Sequence, residues 1–373
     1  QFNIYGFIKP TYIYSDEKRF SSEGQFSDVY RQFKSQNSNL FFSGRALDEK
    51  LSFVIQMDYS STDPLVEAFI GYHFNEKTAL YFGQMQVSHN NLEMVHNEDQ
   101  LRFTDRGMIS QVFSGAGEEF GLFLESSFGN SFVIEPKFAI TSGDGRNSFG
   151  EDSRDSDKGG VKLGSRINFY PFGHFAQGNQ LTTVDLEGEE KLKAQLGFAF
   201  SKNFGASNLV GDGHGDFILY DSIGNEQYPD YSQLFFDLNL KYKGFSFVFE
   251  YADATASALE YIFTDPNGFN ILNPTQISEY LILGDSQGIQ FGYFTKNGLS
   301  FDFIYEQFNP EFDSNLNSIL RESTNLGIGV SKYIVGNKLK LQASAFKTNY
   351  KNSVAGLDDD EFMSAAFLVQ IAF

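Results

Sequence analysis

Arg102 and Arg106 stand four positions apart with Asp105 between them, inside Val87 to Gly117, a long polar, helix-tolerant segment without sustained alternation. On a helix, residues at that spacing share a face, so the two guanidiniums would form a basic patch. The same pair can instead anchor the segment to acidic neighbours, and the spacing alone does not choose between them. The remaining candidates for chemistry are sparse. His73, His89, His96, His174 and His214 lack metal-ligand spacing, and His89 and His96 read as hydrogen-bonded loop residues. Gly143-Asp144-Gly145, the acids from Glu151 to Asp157, and Gly211 to Asp216 carry oxygen ligands of the kind Ca²⁺ takes. Neither glycine-rich run has the EF-hand spacing, so both read as loops. There is no nucleophile elbow or recognisable triad, and no cysteine for a thiolate site. The expectation is therefore no catalytic residue, no metal and no cofactor.

The segments that must position these side chains read as strands. Leu51, Phe53, Ile55, Met57 and Tyr59 alternate with Ser52, Val54, Gln56 and Asp58, and successive strand side chains point to opposite faces. Phe236, Leu238, Leu240 and Tyr242 alternate likewise, and so do Phe245, Phe247, Phe249 and Tyr251 beyond a turn at Lys243-Gly244. Asn297-Gly298 marks another hairpin. From Phe2 to Phe373 such segments number about sixteen, an even count in the range of single-chain membrane barrels. With Phe2 rising, connections after odd strands are mostly long and those after even strands mostly short. Ser60 to Asp63 and Pro171 to Glu190 are the exceptions. The expected fold is all-β: one transmembrane antiparallel β-barrel over 1–373, with long extracellular loops, short periplasmic turns and an inward constriction loop at about 87–117.

Aromatics make up 17% of the chain, including 43 Phe and no Trp, yet 20% is charged. A barrel wall that faces lipid on one side and water on the other requires that mixture. No apolar run reaches the roughly 18 residues of a membrane helix. The formal charge of −20 disfavours nucleic acid as a partner. Alternation places Arg45, Lys137, Lys162, Arg166, Lys193, Lys241 and Lys340 in the lumen, with Asp58, Glu67, Glu119, Glu125, Glu135, Asp237, Glu250, Asp302 and Glu306. Tyr59, Tyr242, Tyr251 and Tyr305 are expected in the interfacial girdles. The last stretch sets Ala365, Phe367, Val369, Ile371 and Phe373 on one apolar face. It resembles the C-terminal strand by which assembly machinery recognises outer-membrane barrels. A secretory signal removed before Gln1 is expected, as is the outer membrane of a Gram-negative bacterium.

Five short runs stand out: Tyr81-Phe82-Gly83-Gln84, Leu101-Arg102-Phe103-Thr104-Asp105-Arg106, Lys162-Leu163-Gly164-Ser165-Arg166, Tyr170-Pro171-Phe172-Gly173 and Lys191-Leu192. Through them the chain resembles a known family, the phosphate-selective porin O and P-like outer-membrane proteins. The resemblance implies a sixteen-stranded barrel, usually trimeric, with a loop-narrowed pore lined by basic residues. Members that select phosphate have a strongly basic channel, whereas this lumen mixes signs. The reading is a porin for passive diffusion of small hydrophilic solutes or ions, including anions such as phosphate. Its partners would be lipid, the barrel-assembly machinery and further copies in a homotrimer. A plugged accessory barrel of a secretion or uptake complex, stopped by 203–230 or 252–286, is the alternative, and a barrel enzyme the third.

Overall fold

Sixteen antiparallel strands close on themselves in the computed structural model, which describes residues 2–17, 19–20, 26–27, 29–115, 117–147, 161–213, 215–257, 260–351 and 361–373. His214 and the acids Glu151 to Asp157 lie outside the described residues. In chain order the strands begin with β1 (Phe2–Ile8 and Pro10–Ser15) and β2 (Tyr30–Ser35 and Asn39–Ala46). Next come β3 (Leu51–Asp58), β4 (Leu65–Asn75), β5 (Thr78–Gln86), β6 (Glu118–Ser126), β7 (Val133–Thr141) and β8 (Lys162–Tyr170). After these come β9 (Lys193–Asn203), β10 (Asp230–Tyr242), β11 (Phe245–Ser257) and β12 (Gly284–Phe294). The last four are β13 (Leu299–Pro310), β14 (Ser323–Val335), β15 (Leu339–Tyr350) and β16 (Glu361–Ala372). One short helix, α1 (Met108–Phe113), lies in the inward segment.

The barrel closes where β1 pairs with β16, Phe7 opposite Ala372 and Thr11 opposite Leu368. Phe373 completes the seam: its carbonyl accepts from Gly6 N at 3.1 Å, and its own N–H donates to Gly6 O at 2.9 Å. The short-turn end follows its residue chemistry. Lys243 and Gly244 hold φ of 49° and 86°, the pair of positive values that a tight hairpin turn needs. At Asn297-Gly298 only the glycine is left-handed, at φ 74°, so that hairpin closes through a longer loop.

Outward alternation is as expected: Ile55, Phe198, Phe291, Val330, Phe367 and Ile371 are exposed on the outer surface. Two expectations change. Strands rise beyond their apolar stretches: β11 runs to Ser257, β12 starts at Gly284 and β10 at Asp230, because main-chain pairing continues where side chains turn polar. The polar stretch before Asn39 contains the upper half of β2, Tyr30–Ser35. Tyr251 and Tyr305, opposite Phe236 and Ile289, each end the outward apolar run of a strand that continues with polar residues.

The upper and lower halves of β1 and β2 are offset at Lys9 and at residues 36–38, where Gln36 N donates to Lys9 O at 3.0 Å and Lys9 N to Ser38 Oγ at 3.1 Å. Lys9 keeps the alternation of Phe7 and Thr11, so its side chain enters the lumen, where it is buried.

Alternation predicts opposite costs at adjacent positions. Ile55→Arg, on the outer face, is expected to lose about 2–4 kcal/mol in reversible unfolding from lipid vesicles. Val54→Arg, which faces inward, is expected to lose less than half as much, and equal losses would mean the face assignment of β3 is wrong.

Candidate functional site: an inward loop and the arc it leaves open

Residues 87–117 leave the top of β5, descend into the lumen and return to β6. A chain inside a barrel cannot use the sheet for its backbone hydrogen bonds, and buried N–H and C=O groups must be paired. Wall side chains provide the partners. Lys340 Nζ donates to Asp99 O at 2.9 Å and Leu101 O at 3.0 Å, and Gln370 donates to Asp99 O at 3.0 Å. Gln342 donates to Arg102 O at 2.9 Å, Arg166 to Asn90 O at 2.9 Å, and Lys9 to Glu98 O at 3.0 Å. In the other direction, Glu306 accepts Met108 N at 3.0 Å and Ile109 N at 2.8 Å, at the start of α1. Glu250 accepts Asn91 Nδ2 at 2.8 Å and Glu93 N at 3.2 Å. These anchors belong to β8, β11, β13, β15, β16 and β1.

The wall is also shaped for the loop. A Cβ at inward-facing Gly164 on β8 would run into the His89 ring, and one at Gly329 on β14 would stand 2.8 Å from Phe103. Gly288 and Gly292 leave room in the same way for Ile109 and Arg102.

Arg102, expected either in a basic patch or as an anchor, is an anchor. It is 1% exposed, pairs with Asp302 at 3.4 Å, and donates to Thr183 O at 2.7 Å and Ser246 Oγ at 2.8 Å. Arg106 is partly buried: it pairs with Glu98 at 2.7 Å and donates to Glu93 O at 2.6 Å and His96 O at 2.8 Å. No shared helix face joins the two, since α1 begins only at Met108. Of the wall bases expected to line the pore, Lys162, Arg166 and Lys241 are buried. Lys162 pairs with Glu119 and Arg166 with Asp237, each at 2.6 Å. Lys241 donates to Asn179 O at 2.6 Å and Thr182 O at 2.5 Å. Lys193 reaches Phe172 O at 2.6 Å. Lys137 and Arg45 stay partly exposed beside Glu125 at 3.0 Å and Glu49 at 3.9 Å.

His89 does not make the hydrogen bonds expected of it: it is fully buried and neither ring nitrogen has a partner. Burial, with Lys162 adding to it, depresses its pKa to about 3, so the ring is neutral. The two glycine-rich loops meet each other, Gly213 N donating to Gly143 O at 2.8 Å. Among the described residues no cluster of His, Asp or Glu is arranged to hold a metal ion.

Two features went unread in the sequence. Residues 171–192, the long connection at the short-turn end, fold inward and meet the 87–117 loop: Thr182 Oγ1 donates to Gln100 O at 2.9 Å, and Arg102 reaches Thr183. The Lys241 contacts hold that connection from the wall. At the other end, α1 buries Ile109 and Phe113 against Leu219, Ile262, Leu281 and Phe308, so the long loops form an apolar cap on it. The inward segment thus leans on the wall from β8 round to β1. The opposite arc keeps Ser52, Val54, Phe69, His73, Tyr81 and Glu125 partly exposed toward the lumen.

No protein-family model and no curated protein matches the chain. Solved structures do. An in-vitro folded outer-membrane protein of Vibrio cholerae, OmpT in its trimer form, matches over 100% of this chain and 99% of its own, with TM-score 0.55 and 11% identity. The outer-membrane channel DcaP of Acinetobacter baumannii matches over 100% and 97%, with TM-score 0.56 and 12% identity. OprB of Pseudomonas putida matches over 100% and 94%, with TM-score 0.58 and 10% identity. At these identities the likeness is one of fold, a closed antiparallel β-barrel.

Removing one partner of a desolvated ion pair leaves a bare charge, at a cost of about 3–5 kcal/mol. Asp302→Ala is expected to destabilise the barrel by that order and to speed amide exchange at 99–105. The double variant Arg102→Met/Asp302→Leu is expected to recover most of the loss, and a double variant as unstable as the single one would refute the anchor role.

Proposed function

We propose that the protein is an outer-membrane porin of a Gram-negative bacterium, through which small hydrophilic solutes diffuse passively. One observation carries this reading: the inward loop is fixed to one arc of the wall and leaves polar side chains of the opposite arc, Ser52, His73, Glu125 and Lys137 among them, in contact with lumen space. Polar groups line the route, and the loop beside it sets the size limit. The likeness in fold to a channel and to a barrel in trimer form supports the passage and a homotrimer. The apolar face of Phe367, Val369, Ile371 and Phe373 is the proposed signal read by the barrel-assembly machinery, and lipid covers the outer wall.

Selectivity follows the charges that remain uncompensated. Arg102, Lys162 and Arg166 are neutralised by carboxylates, and Lys241 is spent on loop carbonyls. Arg45 and Lys137 each face a glutamate. A phosphate route needs unpaired bases, so the proposed passage favours cations weakly over anions and is not specialised for phosphate. The apolar cap on α1 favours a second reading, a closed accessory barrel.

Single-channel recording in a planar bilayer under a salt gradient separates these. Stable conductance with a cation-side reversal potential is expected. An anion-side potential overturns the selectivity, and silence from correctly folded protein overturns the open passage in favour of the closed barrel.

A further inference from the structure

A cavity of about 310 Å³ lies between the inward loop and the upper part of the β2–β6 arc, lined by the carboxylates of Asp58, Glu67, Glu98, Glu118 and Asp212. Two guanidiniums share it, Arg106 and Arg146. Its volume is at the lower end of small-molecule sites, roughly 300–1,000 Å³.

The charges within it do not balance. Arg106 is spent on Glu98, at 2.7 Å, and Arg146 stands 3.9 Å from Glu118. The other three acids have only uncharged hydrogen-bond donors. Ser60 donates to Asp58 through its N–H at 2.8 Å, Gln86 N donates to Glu67 at 2.8 Å, and Asn208 Nδ2 reaches Asp212 at 3.4 Å. Asp212 is 5% exposed, and its Oδ1 has no hydrogen-bond partner at all. A buried carboxylate oxygen without a donor is costly. Lys162 could have offset it but pairs with Glu119. Burial accordingly pushes the Asp212 carboxyl up to about 7, against the pull of Lys162.

We infer that this chamber is a docking subsite for a compact organic cation, an amine or guanidine whose N–H groups meet Asp212, Glu67 and Asp58. A metal ion does not suit it, since among the described residues no acids converge closely enough to ligate one. The guest's flat or rod-like body fits against Met94, with Gln86 Nε2, a buried donor that also lacks a partner, left for a hydroxyl or carbonyl of the guest. The subsite deepens the porin reading, on which it rests only for how the cation arrives and leaves.

The test is calorimetric titration of the folded barrel in detergent micelles at pH 8 with agmatine, against neutral N-butylurea and dianionic glutarate. Saturable binding of agmatine alone is expected. It should weaken about tenfold or more in Asp212→Asn, as loss of a charged hydrogen bond implies. Asp58→Asn serves as the second variant if Asp212→Asn does not fold, and heat-modified gel mobility reports folding of each. No agmatine binding, equal binding of N-butylurea, or unchanged affinity in both variants would overturn the subsite. Conductance of the same samples keeps the two readings apart: a silent barrel that binds agmatine sinks the porin alone, and a conducting barrel that ignores it sinks the subsite alone.

Discussion

Irregular backbone inside the lumen must have its hydrogen bonds met by something other than a sheet, and the rest of this structure is arranged around that need. A β-barrel wall satisfies its own main chain completely, so it offers an incoming loop no ladder to join. What it can offer is inward side chains. Lys340, Gln342 and Gln370 stand on adjacent strands and take the carbonyls of Asp99, Leu101 and Arg102. Glu306 and Glu250 take the amides of Met108, Ile109 and Glu93. Charged side chains are used because one ionised group can serve two backbone groups, and such bonds are stronger than neutral ones.

That use of charge explains why the lumen is polar yet largely filled. Each buried base is held by a carboxylate or by carbonyls, and each anchoring acid by amides, so the interior carries many charges and little free field. The packing is equally specific. Glycines at inward positions of β8, β12 and β14 let His89, Arg102, Ile109 and Phe103 approach the wall, while α1 presents Ile109 and Phe113 to the apolar side of the long loops. Interiors at native density do not tolerate extra atoms at such contacts. The loop is thus tied to one side of the barrel and faces the upper part of the other across a cavity, and that asymmetry shapes any passage.

Much of the barrel was legible from the residues. Alternation of Leu51 to Tyr59 and of Phe236 to Tyr251 gave the facing, and turn residues gave the short end, because both are local properties of a strand and its hairpin. Strand tips such as Ala252–Ser257 were unreadable, since outside an apolar belt no alternation marks a paired strand. The offset at Lys9 was hidden too, since nothing local to β1 shows that residues 36–38 break the pairing opposite it. The inward fold of 171–192 gave no pattern, yet one signal was available. Lys241 sits at the end of β10 where a short turn would leave it in water, and its burial demands a loop above it. The inward glycines Gly164 on β8, Gly288 and Gly292 on β12 and Gly329 on β14 were a second such signal, since empty places on a wall imply something that fills them.

The same distinction decides how a wall charge should be read. Sequence places Arg102, Lys162, Arg166 and Lys241 in one basic set with Arg45 and Lys137, but burial divides it. A base paired with a carboxylate away from water contributes almost nothing to the potential an ion meets, because the pair's fields cancel beyond its own dimensions. A carboxylate with only uncharged donors keeps its field, and the low dielectric around it strengthens that field. Asp58, Glu67 and Asp212 are of this second kind: Asp58 and Glu67 stand at the top of β3 and β4, and Asp212 on the long loop after β9, around one cavity that the inward loop also lines. Counting formal charges along the wall would predict a mixed lumen; counting those left without a counter-charge gives an acidic entrance above a neutralised interior.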